Sequence, residues 1–294
     1  MKYVLSAGAL VAACMLLPST VSTQSRTAEV YVSVVDGRGQ AAPGLTAEDF
    51  RVREDGVARE VLKAGTATEP LTVALVVDDS QAATPAVQMI REAMDEFLKA
   101  LEGKGEVALI TFGDRPTIVV DYTTDQKKLQ DGAKRIFPRS GAGGNLLDTL
   151  VEVSKGLQKR KPKRPVIAVL MMDGSVEFSD QYYQTVLDQI EKSGAALHVA
   201  ALGAPNDGMS DGLRNRNQVV AIGTERTGGR REQVLALTGA APEMKKLAQE
   251  LLEQYVVTYG RPETLIPPQK IEVTVTKPGL TARARTRTGL AGAK

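Results

Sequence analysis

Three stretches of this chain, residues 71–77, 107–112 and 166–172, are continuous runs of six or seven residues, apolar but for Thr72 and Thr111. A strand with one wet face would alternate. A run that is apolar on both of its alternating faces must be covered on both sides, as in a parallel sheet held between two layers of helices. Residues 195–202 supply a fourth core strand of similar kind. The segments between these runs have helical periodicity. Thr84 is placed to cap a helix with Pro85 in its first position, and Val87, Ile90, Met94, Phe97 and Leu101 then fall on one stripe. Residues 125–136, 146–157, 182–192 and 242–254 are also expected to be helical. Residues 117–122 follow the tight Gly113-Asp114-Arg115-Pro116 turn and are expected as an antiparallel edge strand. The polar stretch 203–217 reads as a loop, 218–222 as a short helix and 233–237 as the last strand. Strands alternating with helices predict an α/β fold, a doubly wound and mostly parallel sheet with helices on both faces.

On either side of this unit the pattern changes to β. In residues 28–36, Val30, Val32 and Val34 share one face. Residues 45–50 form one helical turn, 50–54 a second strand, and Asp55-Gly56 a hairpin signal with 59–64 as its partner. After 255–259, the alternation of Ile271, Val273 and Val275 gives another strand. Pro278-Gly279 is a turn, and 281–287 is the last strand. The expected division is an N-terminal β segment at 28–68, an α/β domain at 70–259 and a C-terminal β segment at 268–288. The two β segments are expected to pair into one small unit with the α/β domain inserted between them. In the alternative arrangement each segment decorates the α/β sheet separately.

The chain has 294 residues, 43% of them hydrophobic, enough for a substantial core. A formal net charge of +2 gives no global attraction to nucleic acid or anionic membrane. Aromatic residues are 4% of the chain and tryptophan is absent, which disfavours base-stacking and sugar-stacking sites. Residues 1–24 are expected to be a signal peptide: Lys2, an uncharged apolar stretch at 3–17, Pro18, then small polar residues with a cleavage site after Ser22. The apolar stretch is short for a membrane span, so the mature chain is expected to have no transmembrane helix. Export to the periplasm or beyond follows. Cys14, the only cysteine, lies inside this segment, so the mature chain has no disulfide. Val11-Ala12-Ala13-Cys14 also has the look of a lipobox, which would make Cys14 a lipid anchor, although Met15-Leu16-Leu17 continues the apolar run past it.

In an open parallel sheet, ligands bind beyond the carboxyl ends of the strands, near the point where the strand order reverses. Asp78-Asp79-Ser80-Gln81-Ala82 follows the first apolar run. Gly141-Ala142-Gly143-Gly144-Asn145 precedes a helix, and Asp173-Gly174-Ser175 follows the third run. Hard oxygen donors from three such loops suit a Mg²⁺ ion. The competing reading is that Asp78 and Asp173 cap strand ends and helix N-termini. For Asp79 that structural role is the better one.

At these residues the sequence resembles the von Willebrand factor A domain, whose metal-ion-dependent adhesion site uses Asp-x-Ser-x-Ser, a Thr from a later loop and an Asp from a Thr-Asp-Gly element. The resemblance implies that Asp78, Ser80, Asn145 and Asp173 are the metal residues. Ala82 stands where the second Ser belongs, Asn145 stands where the Thr belongs, and Met172 replaces the Thr before Asp-Gly. Ala82 offers no oxygen, while Asn145 still offers a carbonyl. The wider pattern is similar to a bacterial VWFA-related family. Its front is Val32-x-Val34-x-Asp36-x-x-Gly39 and Gly44-Leu45-Thr46-x-x-Asp49-Phe50; its back is Thr227-Gly228-Gly229-Arg230, Gln254-Tyr255-x-x-x-Tyr259 and Pro278-Gly279-Leu280.

His198 is the only histidine and falls in a core strand, so it is expected as a packed residue. With no mature cysteine beside it, Cys/His catalysis and His/Cys metal sites drop out. Gly141–Gly144 lacks the Lys-Ser/Thr of a phosphate loop. The cations of 159–164 are expected to be solvated at a helix end, and those from Lys277 onward to form a solvated tail. The resulting expectation is an exported protein-binding module of adhesion or scaffold type, not an enzyme. It would use the top face of the sheet, with Mg²⁺ assistance through a degenerate metal site. The alternatives are a structural envelope protein with a non-functional metal site and, less favoured, a hydrolase using Asp78 and Asp173.

Overall fold

The computed structural model describes residues 26–262 and 268–287. The segment expected to be a signal peptide, Cys14 within it, and residue 288 lie outside the described residues. The chain opens with β1 (Arg26–Val35), β2 (Phe50–Glu54), β3 (Val57–Arg59) and β4 (Val61–Thr66). There follow β5 (Leu71–Val77), α1 (Val87–Ala100), β6 (Gly105–Thr111), β7 (Thr117–Thr123), α2 (Gln126–Lys134), α3 (Leu146–Arg160), β8 (Pro165–Met172), α4 (Tyr183–Ser193), β9 (Ala196–Leu202), α5 (Asp211–Thr227), β10 (Arg231–Val234) and α6 (Ala240–Leu252). It closes with β11 (Tyr255–Arg261), β12 (Ile271–Val275) and β13 (Thr281–Ala284).

The apolar runs form the middle of a six-stranded sheet ordered β10-β9-β8-β5-β6-β7, parallel except for the antiparallel edge strand β7. Every residue of β5 is buried, because side chains on both its faces meet helices. On one side Val73, Leu75 and Leu170 pack with Met94 and Phe97 of α1 and Met244 and Leu247 of α6. On the other, Val76, Ile167 and Val169 pack with Leu150 of α3, Ile190 of α4 and Val219 of α5.

The terminal β segments do meet. One sheet runs β13-β1-β11-β4 and another β12-β2-β3, and Val32, Phe50, Val52, Tyr255, Val257 and Ile271 share a third core. Tyr255–Arg261, expected at the end of the α/β unit, lies instead between β1 and β4. Residues 59–64 do not act as one hairpin arm. Val57–Arg59 pairs with β2, and Val61–Thr66 crosses to pair with β11.

Several expectations need correction. Thr84 does not cap α1: residues Gln81–Ala86 form a 3₁₀ turn first, and Thr84 Oγ1 donates to the Gln81 carbonyl at 2.7 Å. Pro85 lies in that turn, where its missing N–H costs nothing. Residues 203–217 are not all loop. A 17-residue helix, α5, starts at Asp211, with the Ser210 hydroxyl accepting from Leu213 N. Arg164 is not solvated but buried, and of the arginines after Lys277, Arg283 on β13 and Arg285 beside it are partly buried, while Arg287 is exposed. No helix among the described residues is long and apolar enough to cross a membrane.

Candidate functional site

The strand order reverses between β5 and β8: from β5 the chain builds outward through β6 and β7, then returns to β8 on the opposite side. A crevice opens beyond the carboxyl ends of these two neighbours. Asp78 leaves β5 and Asp173 leaves β8, so the topology alone brings both acids to it. The loop at 141–145 closes its third side, with Gly144 N donating to the Val176 carbonyl and Asn145 N to that of Phe112.

Asp78 is buried, and both its carboxylate oxygens accept backbone N–H bonds, from Ser80 at 2.9 Å and from Met172 at 3.0 Å. Burial raises its pKa; the Ser80 hydroxyl and these N–H groups pull the other way. Ser80 Oγ lies 3.0 Å from Ser175 Oγ, so the hydroxyl expected to face a metal is shared with a partner from the β8 loop. Asp79 is a brace. Its Oδ1 accepts from Gly113 N at 2.6 Å and its Oδ2 from Arg139 Nε at 2.9 Å, tying the ends of β5 and β6 to the loop before α3.

Asn145 stands at the N-cap of α3, but its side chain makes no capping bond. Its carbonyl accepts from Thr149 N and Oγ1. Among the described residues, no hydrogen bond links its side chain to Asp78, Ser80 or Asp173.

Asp173 is held by two arginines that the sequence reading did not bring to the site. Arg216 Nη2 donates to Asp173 Oδ1 and to its backbone carbonyl, both at 3.0 Å, while Arg216 Nη1 donates to the Ser175 carbonyl at 2.8 Å. Arg231 Nη2 donates to Asp173 Oδ2 at 3.0 Å. Arg216 and Asp173 are each 1% exposed, so this is a buried ion pair. The available signal for Arg216 was the helical spacing Leu213, Arg216, Val219, Val220, in which the arginine occupies an apolar position. Glu177, also missed, is buried with its Oε2 on Leu146 N at 3.2 Å, at the first turn of α3. Its burial pushes its pKa up to about 7, against the opposing hydrogen bonds from Ser179.

This donor set does not fit a divalent cation. Both oxygens of Asp173 are engaged by guanidinium groups, both of Asp78 by backbone N–H, and Ala82 contributes none. Instead the edge holds a pocket of about 240 Å³ between residues 80–82, residues 141–143 and the Ser175, Val176 and Phe178 side. Phe178, 63% exposed, lines it. In other segments that follow the strands, Phe137 is 60% exposed with the Arg91 guanidinium 4.0 Å over its ring, Tyr182 is 56% exposed and Met209 86%.

Residues 73–175 match the family model of the von Willebrand factor type A domain, a span that contains Asp78, Ser80, Asn145 and Asp173. No curated protein matches the chain. Among solved structures, a von Willebrand factor type A protein from Catenulispora acidiphila is 10% identical, over 91% of this chain and 73% of that one, with a TM-score of 0.52. The vWF domain of a type V pili tip protein from Porphyromonas gingivalis is 12% identical over 63% of this chain and 95% of that one, with a TM-score of 0.48. Proximal thread matrix protein 1 from the mussel byssus is 11% identical with a TM-score of 0.48; 63% of this chain aligns with it, spanning 48% of that protein. The sheet order, the family match and the Catenulispora structure agree that the α/β unit has a von Willebrand factor A type fold. The motifs in the flanking β segments lie outside the matched residues.

Proposed function

We propose that this chain is an exported protein-binding module of adhesion or scaffold type, which engages its partner through the carboxyl edge of the six-stranded sheet. The observation that carries this is where its phenylalanines lie. The chain has five. Phe50, Phe97 and Phe112 are fully buried, as folding demands, whereas Phe137 and Phe178 stand exposed at this edge. Exposed aromatic side chains, one of them on the rim of a concave site, are what partner surfaces use as anchors. Phe178 lies across the Gly143 backbone, where an added Cβ would meet its ring at 2.1 Å, so it is pre-positioned at the pocket rim. Export is supported by the Lys2 and 3–17 segment. A hydrolase built on Asp78 and Asp173 is disfavoured, because hydrogen bonds already engage every carboxylate oxygen of the pair.

Cross-linked pull-down from envelope extract tests the proposal, comparing the natural chain with Phe137→Ser and Phe178→Ser. Each variant should keep its unfolding midpoint and lose most of the captured partner, since truncated anchors cost about 2 kcal/mol or more. A partner captured equally by all three would move the binding surface elsewhere. Capture of nothing by the natural chain would favour the structural envelope reading.

A further inference from the structure

We infer that Arg216 is the resident cation of the crevice, a guanidinium standing in for the divalent ion, so that this face binds its partner without metal. Mg²⁺ requires a near-octahedral shell of oxygens at about 2.0–2.1 Å and gives up water reluctantly. Asp173 would have to turn at least one oxygen toward such an ion. Both oxygens are instead committed to N–H donors on positive groups, Oδ1 to Arg216 and Oδ2 to Arg231. A dication placed there would face two fixed like charges, one of them fully buried and poorly screened.

The placement of Arg216 is built. Its fork is filled on four acceptors, the Asp173 carboxylate, the carbonyls of Asp173 and Ser175, and Asn217 Oδ1, which accepts from Nε at 3.2 Å and Nη2 at 3.1 Å. The two carbonyls belong to the Asp-Gly-Ser loop itself, so the arginine also fixes the shape of the loop. A guanidinium cannot shed its proton to escape burial, and it needs the surrounding acids. Burial pulls its pKa down, while Asp173 first, then Glu177 and Asp78, hold it up. The helix that carries it is pinned over the edge: Asn217 Nδ2 donates to the Asn206 carbonyl at 2.9 Å, and Asn215 Oδ1 accepts from Tyr183 N at 3.3 Å. Ala82 and the Ser80–Ser175 hydroxyl pair fit the same picture, since a site closed by arginine has no use for further oxygens aimed at a metal.

Calorimetric titration with Mn²⁺ and Mg²⁺ decides this on four forms of the full mature chain: natural, Ala82→Ser/Asn145→Thr, Arg216→Ala and the triple variant. The natural and double-variant chains should show no saturable binding at millimolar metal, and EDTA should leave their unfolding midpoints unchanged. The Arg216→Ala chains should bind one Mn²⁺, the triple variant at least tenfold more tightly than the single. Three results would overturn the inference: stoichiometric binding by the natural chain that Asp173→Asn abolishes, binding by Ala82→Ser/Asn145→Thr with Arg216 in place, or no binding by folded Arg216→Ala chains. If Arg216→Ala fails to fold, the first two forms still decide. No partner is needed for the titration, so its outcome is separable from that of the partner-binding proposal.

Discussion

Nε and Nη2 of Arg164 both donate to Oε1 of Gln254, at 3.2 and 3.0 Å, where the α/β unit meets the β unit. Gln254 passes the connection on, its Nε2 donating to Ser33 Oγ of β1 at 3.0 Å. Arg164 also reaches the carbonyls of Glu69 at 3.2 Å and Ala67 at 3.4 Å, and that of Leu251. One guanidinium therefore joins the segment entering the α/β unit to the one leaving it, and burial lowers its pKa to about 10. Arg164→Leu would leave these buried acceptors without their donor. It is expected to cost roughly 3–5 kcal/mol, with faster amide exchange in β1 and β11. Urea unfolding with exchange mass spectrometry measures both. A loss below about 1 kcal/mol would mean that water replaces the side chain at the junction.

His198 predicts a loss of stability in acid. It is fully buried in β9, and among the described residues neither ring nitrogen has a hydrogen-bond partner. A void of about 10 Å³ lies beside it, room for about one water. Burial lowers its pKa from 6.5 to about 4; Glu250 opposes this, and Arg230 and Arg283 reinforce it. The unfolded chain then binds the proton more readily than the folded one between these values, so stability rises with pH there. Lowering the pH from about 6.5 to about 4 should remove up to about 3 kcal/mol. In His198→Leu that component of the slope should vanish. Urea midpoints measured across the window for both proteins check it, and parallel curves would place the acid sensitivity on other groups.

What could be read from the sequence follows from how each segment is buried. β5, β6 and β8 are covered on both faces, so burial left runs that are apolar on both faces. β10 is an edge strand with β9 as its one neighbour and a single buried residue, Val234; it forms at 231–234, two residues ahead of the expected 233–237. α5 was hidden because its buried face spends a position on Arg216. An arginine looks alike in sequence whether it faces water or carbonyls, which is why Arg164 passed for a solvated cation. At the site, Asp78, Ser80 and Asp173 arrive together because strand order brings them. The partners that decide their chemistry come from 43 and 58 residues further along, on α5 and β10, at distances no local pattern encodes.

Two glycines give opposite expectations for the same substitution. Gly228 ends α5 at φ +78°, a left-handed cap where a side chain is strained. A Cβ there would meet Ala284 C at 2.5 Å and Arg285 N at 2.6 Å, the backbone at the end of β13. That backbone cannot simply withdraw, because Thr286 N donates to the Arg226 carbonyl at 2.9 Å, fastening it to the last turn of α5. Gly228→Ala should therefore cost roughly 2–4 kcal/mol, above the roughly 1 kcal/mol of left-handed strain alone, because β13 must lift. Gly156 lies inside α3 with nothing within 4 Å of an added Cβ. There alanine only narrows the unfolded ensemble and suits the helix, so Gly156→Ala should stabilise by about 0.5–1 kcal/mol. Paired denaturation curves separate the two causes. If Gly228→Ala cost no more than the backbone strain, β13 would be lightly held, and the C-terminal strand could leave the α/β unit without disturbing it.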